Sequence, residues 1–104
     1  MLRIYPFIIE TLRLLEPVLR EIARHDPDLA RQGRRAATSI ALNTAEGYGN
    51  MDGNRRSRYR TALGSTQEIK ACLDVARALG YVEVDGDLRD RFDRIAATMY
   101  RLAT

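Results

Sequence analysis

Residues 34–50, RRAATSIALNTAEGYGN, carry the side chains that come closest to a catalytic pattern in this 104-residue chain. Arg35, Ser39, Asn43 and Glu46 follow one another at steps of four, four and three residues. On a helix these steps place the four side chains on one face. A serine in such a row needs a base to become a nucleophile, and the single histidine of the chain is not placed to supply one. We therefore predict no catalytic residues and no enzyme activity.

A second, shorter row of the same kind lies further along the chain. Ser65, Glu68 and Cys72 are spaced by three and four residues, so they also share a helix face. Two such faces on consecutive helices can hydrogen-bond to each other, and a buried carboxylate between them would need an arginine, Arg34 or Arg35, from the same or another chain. The predicted structural or interface network consists of Arg35, Ser39, Asn43, Glu46, Ser65 and Glu68. The alternative is that these residues bind a ligand or nucleic acid.

The residue types do not support metal, redox or phosphate-loop chemistry. One histidine and one cysteine form no pair with metal-ligand spacing, and the Glu-x-x-His pairs of di-iron bundles do not occur. Cys72 lies beside the apolar stripe of Ile69 and Leu73, which predicts a buried, unreactive thiol. The glycine-rich stretch GYGNMDG lacks the lysine of a phosphate-binding loop. We predict no metal and no cofactor.

The positive charge of the chain is concentrated in its middle third. The formal net charge is +3, and arginine supplies 16 of the 17 basic residues. Residues 31–60 contain seven arginines against two acidic residues, whereas the segments on either side each have one more acidic than basic residue. A local excess of arginine attracts phosphate groups, although arginine also serves interface ion pairs well.

Four of these arginines lie within residues 55–60, where a predicted helix begins. Positive charge at a helix N-terminus opposes the helix dipole by a few tenths of a kcal/mol per residue, so the placement favours a functional interpretation. The residues predicted to bind nucleic acid are Arg55, Arg56, Arg58, Arg34 and Arg31. Tyr59 lies close by and would allow stacking. The alternative is a solvated face, or ion pairs with acids of a neighbouring helix or subunit.

The elements that position these residues follow from apolar spacing and from capping residues. Apolar side chains recur at helical intervals along four segments. Asp26 and Pro27 are a typical helix start. Gly80 is a typical residue directly after a helix. Asp85 or Asp87 can cap the last helix.

The predicted helices cover about residues 3–25, 27–48, 54–79 and 86–103 of a single domain, 1–104. The loop GYGNMDGN separates the second helix from the third, and Asn54 can cap the third. No segment alternates with the period of a strand for long, so we predict an all-α fold, an antiparallel up-down four-helix bundle. The second helix should bury mostly small side chains, which let neighbouring helices approach closely: Leu29, Gly33, Ala36, Ala37, Ile40 and Thr44.

Neither a membrane span nor a signal peptide is expected. No apolar run approaches the ~20 residues that cross a bilayer. Glu10 and Arg13 interrupt the apolar stretch near the N-terminus, and no small-residue cleavage site follows it. We therefore expect a cytoplasmic protein with no membrane partner.

Two stretches resemble a known family. RRAATSIALNTAEGYG, followed by ALGSTQEIKACLDVARALGYV, is similar to the four-helix-bundle family of 23S rRNA intervening-sequence proteins, which includes the accessory variability determinant of diversity-generating retroelements. The resemblance extends in order over nearly the whole chain. Its specific part is the spacing of Arg35, Ser39, Ile40, Asn43, Glu46 and Gly47, followed by Gly64, Ser65 and Glu68. The chain departs from the family pattern at Ala41, where a proline is common, and at Tyr5, near a frequent tryptophan.

The resemblance implies a small, cytosolic bacterial protein whose bundles assemble into a ring-shaped homopentamer. The retroelement member looks like a basic, barrel-shaped partner of a reverse transcriptase that also binds nucleic acid. No catalytic residues are established for the family. We therefore expect a non-enzymatic homo-oligomer that binds RNA or DNA, or a nucleic-acid enzyme such as a reverse transcriptase, through its basic surface. The alternative is a structural or adaptor protein whose arginines form intersubunit salt bridges.

Overall fold

A computed structural model describes residues 3–50 and 53–104, and within these ranges the chain is all-α, with four helices and no strand. The helices are α1 (Ile4–His25), α2 (Pro27–Gly49), α3 (Asn54–Ala78) and α4 (Gly86–Ala103). The predicted all-α class and the four helices are confirmed, and the observed bounds differ from the predicted ones by at most one residue.

Side-chain and glycine caps explain three of these boundaries. The Asp26 carboxylate accepts a hydrogen bond from the Leu29 backbone N–H at 3.0 Å at the start of α2. Asp85, rather than Asp87, caps α4, because its carboxylate accepts from the Asp87 N–H at 2.9 Å. Gly80 follows α3 with a φ of 77°, a conformation that favours glycine. The start of α3 differs from the prediction, since Asn54 is its first helical residue and Gly53 occupies the capping position.

The interior contains one apolar core with three threonines. Its largest fully buried side chains are Phe92, Ile8, Leu15, Ile22, Ile40, Ile69, Leu73, Ile95, Met99, Thr11, Thr44 and Thr66. Each threonine hydroxyl donates to the carbonyl four residues earlier, at distances of 2.7, 2.7 and 2.8 Å. Each hydroxyl hydrogen therefore has an acceptor within its own helix, so the side chains can be buried at little cost.

Helices α2 and α3 make the most extensive contact in the bundle. The small residues predicted for α2 are buried as expected, although Leu29, near the start of the helix, is only partly buried. A Cβ atom added to Gly33 would lie 3.0 Å from Leu19 Cδ2 and 3.2 Å from Ile69 Cδ1. A Cβ atom added to Gly47 would lie 2.8 Å from Tyr59 Cε1. The glycines thus allow close packing between the helices.

Within residues 3–50 and 53–104, none of the helices combines the length and the apolar character required to cross a membrane.

Candidate nucleic-acid interface

Arg55 lies against the C-terminal end of α2. Its Nε donates to the carbonyl oxygens of Gly47 at 3.2 Å and Asn50 at 3.0 Å, and its Nη2 donates to that of Tyr48 at 3.5 Å. These carbonyls belong to the negative end of the α2 dipole, where a positive charge is stabilising. The positive charge of Arg55 is unfavourable to the dipole of α3, but it is favourable to the dipole of α2. Arg55 has a structural role in the chain that the sequence did not reveal.

Arg58 joins the two helices through a polar network. Its Nη1 lies 3.1 Å from a carboxylate oxygen of Glu46 and donates to Asn43 Oδ1 at 3.5 Å. The sequence had suggested a buried glutamate paired with Arg34 or Arg35, but the Glu46 carboxylate is exposed and pairs with Arg58 of α3. Much of the charge of Arg58 is thus offset within the chain.

The predicted polar network is present in part. Ser65 Oγ of α3 donates to Ser39 Oγ of α2 at 2.7 Å, and Asn43 Nδ2 donates to the Oγ and the carbonyl oxygen of Ser39, both at 3.0 Å. Arg58 extends this chain of hydrogen bonds to Glu46. Arg35 and Glu68, the two other predicted members, have no hydrogen bond or ion pair with a described residue.

An open groove of about 950 Å³ follows the network between α2 and α3. Arg35 and Glu68 both line it, together with Ser39 and Ser65. The other charged residues that line the groove are ion-paired, whereas Arg35 and Glu68 have no ion pair with a described residue.

Arg31 and Arg34 belong to a different part of the surface from Arg55. Arg31 pairs with Asp28, and Arg34 Nη1 lies 2.5 Å from a carboxylate oxygen of Glu16 on α1. The hydrogen bond from Arg34 lowers the pKa of Glu16 below its ordinary value. Arg34 precedes Gly47, which contacts Arg55, by 13 residues of α2, or about 20 Å along the helix axis. Three of the five predicted phosphate-binding arginines, Arg31, Arg34 and Arg58, line the groove between α2 and α3, whereas Arg55 and Arg56 are not among its lining residues. The five therefore do not form one cluster.

Arg56 and Arg60 are the arginines of the α3 start that remain most available to a ligand. Both side chains are exposed, and neither has an ion pair or hydrogen bond with a residue in the described parts of the chain. They are four residues apart and so lie on the same face of α3. Arg56 is one of the residues predicted to bind nucleic acid, whereas Arg60 is not.

Tyr59 does not provide the stacking surface suggested by the sequence. Its side chain is only 3% exposed, and its ring packs against Gly47. Burial raises the pKa of Tyr59, although the nearby charge of Arg55 opposes this rise. Tyr48, which the sequence analysis overlooked, is 48% exposed on the last turn of α2. The available signal in the sequence is that Tyr48 is flanked by two glycines at the end of a predicted helix.

The contact between Gly47 and Tyr59 makes a testable prediction. Replacing Gly47 with alanine would force its Cβ into the buried tyrosine ring, at a cost of about 1–3 kcal/mol, of which higher helix propensity returns about 1 kcal/mol. We expect a net loss of about 1 kcal/mol in the free energy of unfolding, measured by urea denaturation. Gly49→Ala is the matched control, because an added Cβ at Gly49 has no described atom within 4 Å. Equal stability of the two variants would contradict the packing argument.

The described residues include no candidate metal-binding group and no exposed cysteine. No group of three or more His, Cys, Asp or Glu side chains in residues 3–50 and 53–104 is arranged to hold a metal ion. Cys72 is buried, as predicted, and burial raises the pKa of its thiol, with Glu68 adding to the rise. A buried, protonated thiol is a poor nucleophile.

Comparison with known proteins assigns the chain to a family. The family model described as 23S rRNA-intervening sequence protein matches residues 11–101. No significant match was found among curated proteins or among solved structures. The matched region contains the α2–α3 network and the arginines at the start of α3. The chain belongs to the family of 23S rRNA-intervening sequence proteins.

Proposed function

We propose that this protein is a non-enzymatic, cytoplasmic homo-oligomer, a homopentamer of antiparallel bundles, that binds RNA or DNA, or a nucleoprotein partner, through the start of α3. The observation that carries the proposal is the exposure of Arg56 and Arg60, which have no carboxylate partner among the described residues. Unpaired guanidinium groups on one helix face are suited to bind successive phosphates.

The adjacent arginines add to this positive potential. Arg55 is exposed, and its described hydrogen bonds use its Nε and Nη2 groups and are made to neutral carbonyl groups, so its full charge remains. Of the four arginines in residues 55–60, Arg58 is the one whose charge a described carboxylate offsets. A ring would repeat this surface in each subunit and raise the local potential for a polyanion.

The order of contacts supports antiparallel packing of α2 and α3. Gly33, early in α2, lies against Ile69, and Gly47, late in α2, lies against Tyr59, early in α3. Later residues of α2 thus meet earlier residues of α3.

Oligomer formation is supported by surface features that one chain does not explain. Gly64 lies in the middle of α3, where glycine costs about 1 kcal/mol relative to alanine, yet an added Cβ would meet no described atom within 4 Å. A glycine on an exposed face allows another helix to approach closely. The side chains of Leu42 and Val75 are also exposed. Arg35 and Glu68 in the groove would find partners of opposite charge on an adjacent copy.

The family description suggests RNA as the first ligand to test, because it refers to sequences that intervene in 23S rRNA. We expect the double substitution Arg56→Ala and Arg60→Ala to weaken RNA binding about tenfold or more, since hydrogen bonds to charged groups contribute roughly 1.5–3 kcal/mol each. The dependence of log K on log salt should become shallower by about 2, or about 1 per phosphate contact. Fluorescence anisotropy over a salt series measures both effects.

The matched control is the double substitution Arg24→Ala and Arg77→Ala, which removes the same charge from exposed positions near the ends of α1 and α3. It should leave the affinity nearly unchanged. If wild-type protein binds no RNA or DNA at low salt, or if both double variants lose the same affinity, the proposed surface is wrong.

A structural or adaptor role is the second candidate, and it is favoured by Arg35 and Glu68 in the groove, which have no ion pair with a described residue. If these residues pair between subunits, Arg35→Ala should dissociate the oligomer in light scattering. The adaptor role alone would also predict no affinity for nucleic acid.

A further inference from the structure

Tyr48 is an exposed aromatic side chain next to the basic start of α3. It lies on the last turn of α2, and nearly half of its surface is accessible. The neighbouring tyrosine of α3, Tyr59, is buried, so the two rings have different roles. Tyr59 fills the space opposite Gly47, whereas about half of Tyr48 is accessible to a ligand.

The backbone that carries Tyr48 is held in place by Arg55. Arg55 donates to the carbonyl oxygens of Gly47, Tyr48 and Asn50, the last at 3.0 Å. Asn50 N–H also donates to the Gly47 carbonyl at 3.3 Å. These contacts hold the turn that carries Tyr48 against the Arg55 guanidinium group. A stacking side chain with a fixed backbone loses less entropy on binding than a mobile one.

Exposed aromatic rings beside arginines are typical of surfaces that bind single strands. In a duplex the faces of the bases are stacked on one another and are inaccessible to a protein side chain. An unpaired base offers its face, and stacking on tyrosine contributes about 1–3 kcal/mol per base largely independently of sequence. Phosphate contacts alone would not favour a single strand over a duplex through the faces of the bases.

We propose that this surface binds single-stranded nucleic acid, with one unpaired base stacked on Tyr48 and with Arg55, Arg56 and Arg60 contacting the adjoining phosphates. The inference rests on the proposed function and adds to it the conformation of the ligand and the residue that selects it. It does not require base-specific hydrogen bonds, so RNA and DNA single strands of several sequences should bind.

The test compares Tyr48→Ala with Tyr48→Phe in the 104-residue chain. The probes are a dye-labelled 12-nucleotide single strand, as RNA and as DNA, and a 12-base-pair duplex of the same sequence, at one salt concentration. Wild-type protein should bind the single strand more tightly than the duplex. Tyr48→Ala should lose about tenfold in affinity for the single strand, within the range expected for one stacked base. Tyr48→Phe keeps the ring and should stay within about twofold of wild type.

A strand with abasic sites isolates the stacking contribution. It keeps every phosphate and removes the bases, so wild-type protein should bind it about as weakly as Tyr48→Ala binds the intact strand. Tyr48→Ala should lose nothing further on the abasic strand, and its salt dependence should match that of wild type because the arginines remain. Leu79→Ala removes an exposed apolar side chain at the opposite end of α3 and should have no effect.

The outcomes separate this inference from the function on which it rests. Equal affinity for strand and duplex, or unchanged affinity of Tyr48→Ala, would overturn the stacking role while leaving an arginine-dependent interface in place. Absence of binding to every probe would overturn the proposed function, and the inference with it. Far-UV circular dichroism and light scattering on the same samples verify that the variants fold and assemble like wild type.

Discussion

Replacing Phe92 with alanine is expected to lower the free energy of unfolding by about 3–5 kcal/mol. Phe92 is 0% exposed and is the largest of the fully buried side chains. Its removal would withdraw a complete aromatic ring from the core and leave a cavity that the surrounding helices can fill only in part. Since small domains are stable by about 5–15 kcal/mol, this loss should bring the protein close to unfolding at physiological temperature.

Urea denaturation followed by far-UV circular dichroism measures the effect, and the melting temperature should fall by roughly 12 °C or more, at about 4–8 °C per kcal/mol. Tyr100→Ala is the control on the same helix, because Tyr100 is also aromatic but is largely exposed. It should change stability by no more than about 0.5 kcal/mol. Both variants should be compared at several protein concentrations, since assembly would add concentration-dependent stability. Similar losses for both variants would contradict the assignment of the core.

Replacing Arg91 with alanine is expected to cost about 2 kcal/mol, the second largest effect. The side chain of Arg91 is only 17% exposed. Its guanidinium group donates to Thr11 Oγ1 at 3.1 Å and to Glu10 at 3.2 Å on α1, and it lies 4.6 Å from the centre of the Phe7 ring. Charge-assisted hydrogen bonds and a cation–π contact of this kind contribute about 0.5–3 kcal/mol each. Thr11 remains satisfied by the Phe7 carbonyl, which limits the loss.

Two further variants distinguish the planar arginine from a simple positive charge. Arg91→Lys keeps the charge but not the fork of donors, so it should recover less than half of the lost stability in the same urea experiment. Arg94→Ala removes a guanidinium that also lies over Phe7, at 4.5 Å, but that forms no ion pair with a described residue. It should cost less than about 1 kcal/mol. Full rescue by lysine, or an equal loss for Arg94→Ala, would show that the hydrogen bonds between α1 and α4 contribute little.

The helices were predictable because their signals are local. Apolar spacing at the period of 3.6 residues, the cap supplied by Asp26 and the left-handed conformation adopted by Gly80 each depend on a few neighbouring residues. The family was recognisable for a similar reason, since its motif is a run of residues at fixed spacing on α2 and α3. The sequence also indicated that the polar faces of α2 and α3 can hydrogen-bond to each other, as Ser39 and Ser65 do.

The tertiary structure alone decided which charges remain available. Long arginine side chains choose partners from several helices, and sequence distance does not reveal the choice: Arg34 pairs with Glu16, 18 residues away, and Arg58 pairs with Glu46. Arg56 has no such partner in the described ranges.

The different exposure of the two tyrosines near the α2–α3 contact could not be predicted from the sequence either. The sequence places both Tyr48 and Tyr59 near the loop after α2, but the absence of a side chain at Gly47 lets α3 press Tyr59 into the core and leaves Tyr48 in solvent. The sequence by itself therefore determined the elements, the family and the basic segment. Packing across the α2–α3 contact determined which of its arginines and aromatic rings can meet a ligand, because burial and ion pairing depend on what faces each side chain in space.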